Sequence, residues 1–536
     1  MRTEKPSRLK REEKELGKEL YNQLRRLSCD QLWRVEASRF DKASPQERMQ
    51  RVAVVRAVGV VFSESGTAEQ KAQAKLWLRA LLDDPNEKIR RYAMSAIPKI
   101  GADPSEESIL LSLLKTTHSD REKKFIAETL EKIGGTATLS EIDKLAGGSF
   151  QQTEQKVKAS LARAERPSVI KLDAVLTDFS QLRLHLRGRS GLEEIVRDEV
   201  EDYARKYGKF RIADVRPGMV AITPIAPFTL ADIYALRCFG SVSFVLGTAR
   251  TADMSKFIES VASMITSPLS RRILKTFTEG SIRYRLDFMA KGHQRSVVRD
   301  LANRAYALCP EVLNDARHAR WTIAIHPSEH GNSIELCPKL APDPRLYYRL
   351  QDVPAASHPP LAACMARLAG HWDNDIVWDP FCGSGLELIE RAMLGGVRTL
   401  YGTDLNPEAI AITDGNFAAS NVKQVASKFV CCDFRDFATV EGLGPNAATL
   451  IITNPPMGKR VPIPNLRQLI QDLFSVAATV LRPGGRLVFA NPFRMENPHP
   501  SLKLQYSRTV DFAGFDCRLE KYVKAPANAD SHRVIC

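Results

Sequence analysis

An Asn-Pro-Pro tripeptide carries the most specific chemistry in this chain of 536 residues. Asn454, Pro455 and Pro456 follow the apolar run 449–452, which predicts a buried parallel strand whose carboxyl end borders a ligand site. The Asn454 side-chain oxygen and the Pro455 carbonyl can both accept hydrogen bonds, and proline adds no competing N–H. Two acceptors suit a planar amino group whose lone pair is aimed at an electrophile. The tripeptide therefore indicates chemistry on an exocyclic amino group.

A glycine-rich turn further upstream indicates the electrophile. Residues 376–394 predict a strand, a turn and a helix, and Gly383 and Gly385 in the turn would let a ligand approach the backbone. Asp404 ends the next predicted strand, at the distance beyond the glycines where an acid often holds ribose hydroxyls. A dinucleotide fold would want a third glycine at the position of Leu388. We therefore predict an adenosine ligand without a pyrophosphate, namely S-adenosylmethionine, although a turn of this kind alone can also be only a tight turn.

Two further elements follow in order along the chain. The segment 428–433 predicts a strand that ends in Asp433, which could accept a bond from an adenine amino group or be a solvated turn residue. A Pro-Gly-Gly turn at 483–485 then leads into a buried strand at 486–490. In this order the motifs resemble the class I methyltransferases, and Asn-Pro-Pro resembles those members that methylate amino groups of bases or of glutamine.

That resemblance implies a set of site residues. The catalytic residues would be Asn454, Pro455, Pro456 and Met457. The cofactor-binding residues would be Asp379, Phe381, Gly383, Gly385, Asp404, Leu405, Asp433, Phe434 and Asn454. In-line methyl transfer would then depend mainly on positioning, with Asn454 and the Pro455 carbonyl orienting the amine.

The segment before the glycine turn narrows the resemblance. Residues 354–360 form a small-residue loop that is similar to the loop that roofs the cofactor in THUMP-containing RNA methyltransferases; His358 in it is expected to cap a helix or lie in the core. Gly458-Lys459-Arg460 is similar to members that modify guanine N2. Relatives usually place an aromatic residue where this chain has Met457, so Met457→Tyr is expected to retain or raise turnover if that residue lies under the base.

Composition limits the classes of partner and site. The net charge of +14 favours a polyanionic partner, with a solvated basic surface as the alternative. The ten cysteines show no Cys-x-x-Cys pair, so we predict reduced thiols and no metal site. No apolar stretch reaches the length of about eighteen residues that a membrane span needs, and Met1–Lys18 is charged, so we expect a cytoplasmic protein without a membrane partner.

The N-terminal third contains an internal repeat. Asp84–Gly101 aligns without a gap with Thr117–Gly134; an earlier copy begins at Ser44 and a weak one lies near 154–164. Such self-similarity indicates stacked helical pairs and resembles HEAT-like repeats, giving an α-solenoid over residues 1–165. Its function would be to grip RNA phosphates or to dock a protein partner, with a solvated face as the third possibility. The basic candidates are Lys88, Arg90, Arg91, Lys123 and Lys124.

The middle region, residues 175–345, alternates strand-like and helix-like segments. Strands are predicted at 182–186, 210–215, 219–223, 242–246, 281–288, 321–325 and 333–336, and helices at 192–207 and 296–307. The order resembles the ferredoxin-like linker and THUMP module of tRNA and rRNA methyltransferases, an α+β region that binds RNA. It would precede a Rossmann-like α/β methyltransferase domain at 346–536. Candidate phosphate contacts are Lys291, His293, Arg295 and Arg299.

Three functional hypotheses follow. The first is methylation of an exocyclic amino group in RNA, with guanine N2 in tRNA or rRNA as the target. The second is an enzyme with the same Asn-Pro-Pro chemistry that acts on adenine N6 or a protein glutamine. The third is a repeat-based RNA-binding or assembly factor with a decayed methyltransferase domain, which Met457 would suit.

Overall fold

The computed structural model divides the chain into two compact units, Met1–Pro167 and Ser168–Cys536. It describes residues 17–101, 104–144, 150, 153–154, 156–158, 160–161, 167–250, 253–289, 294–329, 331–354, 356–458, 463–495, 498–512 and 514–526. The predicted phosphate contacts Lys291 and His293, the Lys459-Arg460 pair and much of the weak repeat at 154–164 lie outside the described residues.

The N-terminal unit is helical over its described residues. Its α-helices are Cys29–Gln31, Ser38–Lys42, Pro45–Gln50, Ala53–Ser65, Ala68–Ala80, Glu87–Ile100, Pro104–Thr116, Asp120–Ile133 and Thr136–Lys144, with a π-helix at Leu32–Ala37 and a 3-10 turn at Leu81–Asp83. The repeat reappears in the helix bounds, because Glu87–Ile100 and Asp120–Ile133 keep the same offset along the chain at both ends. Their N-caps, Asn86 and Ser119, keep that offset too, and each accepts a backbone hydrogen bond. The two helices pack against each other.

Two of the basic residues predicted to grip phosphates are instead paired inside this unit. The Arg90 guanidinium donates to Glu122 at 2.6 Å, and Arg91 lies 3.0 Å from the Glu87 carboxylate with its guanidinium over the Phe125 ring. Both arginines sit on helix faces that pack against neighbouring helices, so their charge is neutralised within the unit. The prediction that they present a free phosphate-binding face is wrong.

An eight-stranded sheet occupies the first part of the second unit. Its strands are β2 (Leu184–Arg187), β3 (Phe210–Arg216), β4 (Met219–Pro224), β5 (Ser241–Ala249), β7 (Ile282–Phe288), β8 (Val312–Asn314), β9 (Trp321–Ser328) and β10 (Gly331–Pro338), and the short pair β1 (Val169–Ile170) and β6 (Thr278–Glu279) stands beside it. The strand order is β3-β4-β2-β5-β10-β9-β7-β8, with β7 parallel to both neighbours and the other pairs antiparallel. The helices are Glu193–Tyr207, Leu230–Tyr234, Met254–Ile265, Pro268–Phe277 and Arg295–Leu308. The strands and helices predicted for this region are present.

A seven-stranded sheet forms the rest of the unit. Its strands are β11 (Asp375–Asp379), β12 (Val397–Asp404), β13 (Ala426–Cys431), β14 (Ala448–Thr453), β15 (Leu481–Asn491), β16 (Leu502–Asp511) and β17 (Asp516–Lys524). The helices are Pro359–Ala369, Leu386–Met393, Pro407–Ala419 and Leu466–Val480, with 3-10 turns at Pro344–Leu346 and Phe434–Thr439. The order is β13-β12-β11-β14-β15-β17-β16, and the first five strands are parallel. The chain leaves β11 in one direction and returns at β14 on its other side, which opens a ligand crevice at their carboxyl ends.

Details of this sheet differ from the sequence prediction in two places. The Pro-Gly-Gly segment lies inside β15, where Gly484 has a φ of +79° and the pairing with β14 shifts register. It is therefore a bulge within the strand instead of a turn before it. Asp433 lies beyond the end of β13 and begins the 3-10 turn.

The two sheets share one hydrophobic core. Leu336 of β10 and Leu361 of the helix Pro359–Ala369 belong to the same buried cluster. Ser168–Cys536 is accordingly one compact unit, and its further division at residue 345 stays a prediction. Across the described ranges, no helix combines the length and apolar character that crossing a bilayer requires.

Candidate active site

A cleft of about 770 Å³ opens at the carboxyl ends of β11 and β14. Its wall carries eight of the residues predicted from sequence, namely Phe381, Gly383, Asp404, Leu405, Asn454, Pro455, Pro456 and Met457. Because parallel strands end at the same edge of a sheet, the glycine turn after β11 and the Asn-Pro-Pro segment after β14 meet there, although they lie far apart in the sequence.

The glycine turn is tied to the next strand. Gly383 has a φ of +54° and Gly385 one of +80°, conformations that side chains disfavour. The Gly383 N–H donates to Asp404 Oδ2 at 3.0 Å, and Asp404 Oδ1 accepts the Asn406 N–H at 3.0 Å. Asp404 therefore fixes both the turn after β11 and the loop after β12, with its carboxylate at the wall of the cleft.

Asp379 lies beneath the turn and does not line the cleft. It is fully buried, and its Oδ1 accepts the Phe381 N–H at 3.0 Å and the Thr453 hydroxyl at 2.5 Å. Its Oδ2 is buried without a hydrogen-bond partner. Burial and the nearby Glu387 carboxylate raise the pKa of Asp379 well above its usual range. Asp379 thus joins the two motifs, since it binds the glycine turn on one side and β14 on the other.

Two side chains set the orientation of the Asn454 amide. Asn454 Nδ2 donates to Ser357 Oγ at 2.8 Å, and the Ser357 hydroxyl donates to Glu387 Oε1. Because Ser357 has one proton and gives it to Glu387, it must accept from the Asn454 amino group. The amide is therefore held with Oδ1 directed away from Ser357. That oxygen is buried and has no hydrogen-bond partner among the described residues.

An unpartnered buried acceptor costs free energy unless something donates to it. Asn454 lines the cleft, and its Oδ1 is such an acceptor, next to Pro455 and Pro456. A ligand with an amino group would satisfy it. The role of Asn454 as the acceptor for an amino group stays a prediction.

Asp433 and Phe434 stand apart from the cleft wall. The Phe434 ring lies 4.9 Å from that of Phe381, between centroids, and supports it from behind. Asp433 Oδ2 pairs with Arg435 at 2.8 Å. Their predicted contact with the cofactor stays a prediction. Gly385 begins the helix Leu386–Met393 beside the turn, and it likewise is not part of the wall.

Several residues of the cleft were not singled out from the sequence. Ser357 and Glu387 orient Asn454, and Arg189, Phe512 and Phe515 also line the cleft. One feature could have pointed to Glu387: it is a carboxylate on a helix that is buried along almost all of its length. The other residues come from segments that are distant in the sequence, and no local sequence pattern indicates that these segments reach the cleft.

His358 occupies the N-cap position of the helix Pro359–Ala369 without a side-chain capping bond. It lies on the cleft wall with much of the residue exposed, and partial desolvation, together with the positive charges of Arg189, Arg349 and Arg345, lowers its pKa to about 4. The imidazole is therefore neutral near pH 7. This placement agrees with a helix-start histidine, as expected.

The charges of the site suit a cationic adenosine ligand. Asp379, Glu387 and Asp404 place three carboxyl groups around the glycine turn, and burial raises the pKa of Glu387. A positive ligand would favour their charged forms. S-adenosylmethionine carries a sulfonium and an ammonium group, and its ribose hydroxyls suit Asp404 at the end of β12. Within the described residues no cluster of His, Cys, Asp and Glu could hold a metal ion.

The known proteins that this chain resembles are methyltransferases. Residues 347–499 match the UPF0020 family model, described as an RMKL-like methyltransferase domain. A tRNA (guanine(10)-N2)-dimethyltransferase from Methanothermobacter thermautotrophicus is 26% identical over 189 residues, which are 35% of this chain and 51% of that protein. A ribosomal protein L11 methyltransferase from Teredinibacter turnerae is 28% identical over 208 residues, which are 37% of this chain and 62% of that protein.

The fold also has a solved counterpart. TrmN from Thermus thermophilus superimposes with a TM-score of 0.50 at 19% identity, covering 64% of this chain and 100% of that one. The chain spans only about half the length of the first of these curated relatives.

Fold, cleft and family match define a class I methyltransferase domain whose cofactor is S-adenosylmethionine. Within that class, the segment from Tyr347 to His499 is similar to the RMKL-like branch.

Proposed function

We propose that this chain methylates an exocyclic amino group of a base in RNA, with guanine N2 of tRNA or rRNA as the target. The observation that carries the proposal is the buried, unpartnered Asn454 Oδ1 on the cleft wall, held in place by Ser357. The similarity to tRNA (guanine(10)-N2)-dimethyltransferases supports the choice of base. The net charge of +14 supports a nucleic-acid substrate.

Each group of the cleft has a part in this proposal. Bound S-adenosylmethionine supplies an electrophilic methyl group. Asn454 Oδ1 and the Pro455 carbonyl accept the two amino hydrogens of the base, which aims the nitrogen lone pair and stabilises the positive charge that develops on it. Both prolines keep that carbonyl fixed. The target nucleotide enters the cleft turned out of its stack, which costs least in a single-stranded loop.

The test is transfer of tritiated methyl groups to separate RNA and protein pools, followed by nucleoside analysis. The unaltered chain is expected to label N2-methylguanosine, and Asn454→Ala is expected to lose about 10²–10³ in kcat, as for loss of a charge-stabilising group. Asn421→Ala, an exposed asparagine outside the cleft wall, is the matched control and is expected to be unaffected. Label in RNA that survives Asn454→Ala at full rate would contradict the assignment.

A second candidate is methylation of a protein glutamine. It is favoured by the similarity to ribosomal protein L11 methyltransferases. Label confined to the protein pool would establish it in place of RNA. Label in N6-methyladenosine would keep the Asn-Pro-Pro site and change the base.

The region before the methyltransferase domain is part of the same proposal. We assign an RNA-binding, THUMP-like role to the eight-stranded sheet, because the helix Arg295–Leu308 presents Arg295 and Arg299 at its exposed face. Replacing both by glutamate should weaken RNA binding and reduce the slope of log K against log salt by about 1 for each lost phosphate contact. The double variant Arg205→Glu with Lys206→Glu, an equal charge change on the helix Glu193–Tyr207, serves as control. Unchanged salt dependence would remove this assignment.

The N-terminal unit is proposed to be a HEAT-like platform for RNA. Two observations support this role. The helices Glu87–Ile100 and Asp120–Ile133 and their N-caps repeat at the same spacing, and Lys124 is exposed on the second of these helices. Lys124→Glu in the full chain should lower RNA affinity without changing the affinity for S-adenosylmethionine. Equal RNA affinity would leave the unit without this role.

A further inference from the structure

The cleft lacks an aromatic residue at the position directly after Asn-Pro-Pro, where this chain has Met457. A base turned out of its stack needs a flat partner, since stacking on an aromatic ring replaces what it loses. The phenylalanines on the described cleft wall are Phe381, Phe512 and Phe515. Phe381 belongs to the glycine turn on the cofactor side, where its ring rests on Phe434. Phe512 and Phe515 come from a different part of the chain.

Both of these rings lie at the tip of the hairpin that joins β16 to β17. The strands pair up to Asp511 and Asp516, and the Phe512 N–H donates to the Phe515 carbonyl at 2.8 Å across the tip. The ring centroids are 5.8 Å apart, and both side chains are half-buried. Their remaining exposed surface is apolar and faces the open cleft.

The hairpin stands beside the Asn-Pro-Pro segment. Cys517, the second residue of β17, has its Sγ 3.9 Å from Met457 Sδ. The strand that follows Phe515 therefore touches the residue that replaces the usual aromatic. The two phenylalanines line the same cleft as Asn454 and Met457.

A loop of the eight-stranded sheet holds this tip in place. Arg189 donates to the Asp511 carbonyl at 2.7 Å, and its guanidinium lies 5.3 Å from the centroid of the Phe512 ring. The Asp511 N–H donates to the Ser190 carbonyl at 3.2 Å. At Gly191 a Cβ would come within 2.0 Å of the Thr509 carbonyl oxygen, so the close approach requires glycine. A preorganised tip loses little entropy when a ligand packs on it.

We infer that Phe512 and Phe515 form the stacking wall for the target base, in place of the aromatic residue missing at position 457. Arg189 is a positioning residue for that wall. The inference rests on the proposed methylation of an RNA base and names the residues that would hold that base. It also accounts for the half-exposed rings, since a base that covers the two phenylalanines would remove their apolar surface from water.

The test uses the full chain with unmodified tRNA transcripts and S-adenosylmethionine. Phe512→Ala and Phe515→Ala are each expected to lower kcat/KM for RNA by about 10- to 100-fold, as for loss of one base–aromatic stack. The affinity for S-adenosylmethionine should stay within about twofold, because the cofactor side of the cleft is untouched. Leu504→Ala, an exposed apolar residue of β16 outside the cleft wall, is the matched control.

A rescue experiment separates stacking from a general structural effect. Met457→Tyr in the Phe512→Ala background restores an aromatic face beside the same site and is expected to recover at least part of the lost kcat/KM. Wild-type kcat/KM in both alanine variants would overturn the inference and leave the proposed function intact. Absence of RNA methylation by the unaltered chain would overturn both.

Discussion

Ser357→Ala is the substitution that tests the orientation of Asn454 most sharply. In the structure the Ser357 hydroxyl accepts from Asn454 Nδ2 at 2.8 Å and donates to Glu387. Removing the hydroxyl leaves the Asn454 amino group without its acceptor and lets the amide rotate. The acceptor oxygen would then no longer be fixed toward the amino group of the substrate.

The magnitude follows from the loss of one hydrogen-bond partner at a buried polar group. Leaving such a group unsatisfied costs about 1–3 kcal/mol. If this free energy is lost from the transition state, kcat falls about 5- to 150-fold, since about 1.36 kcal/mol corresponds to a factor of ten. Asn454→Ala, which removes the acceptor itself, should cost at least as much.

The assay is steady-state methyl transfer to RNA together with equilibrium binding of S-adenosylmethionine. We expect a lower kcat for Ser357→Ala with nearly unchanged cofactor affinity. Ser357→Thr retains a hydroxyl and should retain most of the activity. Ser475→Ala, in which the lost hydroxyl bonds only to the Gln471 carbonyl of its own helix, is the matched control.

Two results would refute this reasoning. Wild-type kcat in Ser357→Ala would mean that the relay does not orient the amide. A large loss of cofactor affinity with little change in kcat would mean that Ser357 acts on the cofactor instead.

Three further predictions concern the stability and the framework of the site. Gly383→Ala should weaken cofactor binding and destabilise the fold by about 1–2 kcal/mol, because Gly383 has a φ of +54°. Gly415→Ala should instead stabilise the fold by about 0.5–1 kcal/mol, because Gly415 lies in a helix and a Cβ there would have nothing within 4 Å. The free energy of unfolding in urea measures both changes. Desolvation on the cleft wall and the nearby arginines lower the folded pKa of His358 from 6.5 to about 4, so the unfolded chain binds more protons between these values. Stability should therefore fall as the pH drops from about 6.5 toward 4, and the fall should be smaller in His358→Gln; an equal slope in both proteins would contradict the lowered pKa of this imidazole. Arg486→Met removes a buried guanidinium that lies 2.6 Å from the Asp375 carboxylate. The free energy of unfolding, measured in urea, should fall by about 3 kcal/mol. A change below about 0.5 kcal/mol would show that Arg391 alone is enough to neutralise Asp375.

Local pattern was sufficient to predict most elements of the second unit. The run 449–452 is mostly apolar, and the strand it predicts is buried along its whole length. The glycine turn and Asn-Pro-Pro could be placed together because parallel strands end at one edge of a sheet. The N-terminal repeat likewise predicted helices, and two of them have bounds and N-caps at the spacing of the repeat.

The parts that sequence pattern missed depend on distant contacts. Ser357 and Asn454 are 97 residues apart, and their hydrogen bond depends on how the loop before the helix Pro359–Ala369 folds over the cleft. Phe512 reaches the cleft because Arg189, in a loop from a much earlier part of the chain, holds the hairpin. The pairing of Arg90 with Glu122 was missed for a similar reason, because a surface charge and a half-buried ion pair look alike in sequence.

The central claim is that the cleft binds the exocyclic amino group of guanine through Asn454. The most direct measurement is methyl transfer to two matched RNA transcripts, one containing guanosine and one containing inosine in its place, which lacks only the 2-amino group. The account predicts methylation of the guanosine transcript at N2 and none of the inosine transcript. Equal labelling of both transcripts would contradict it.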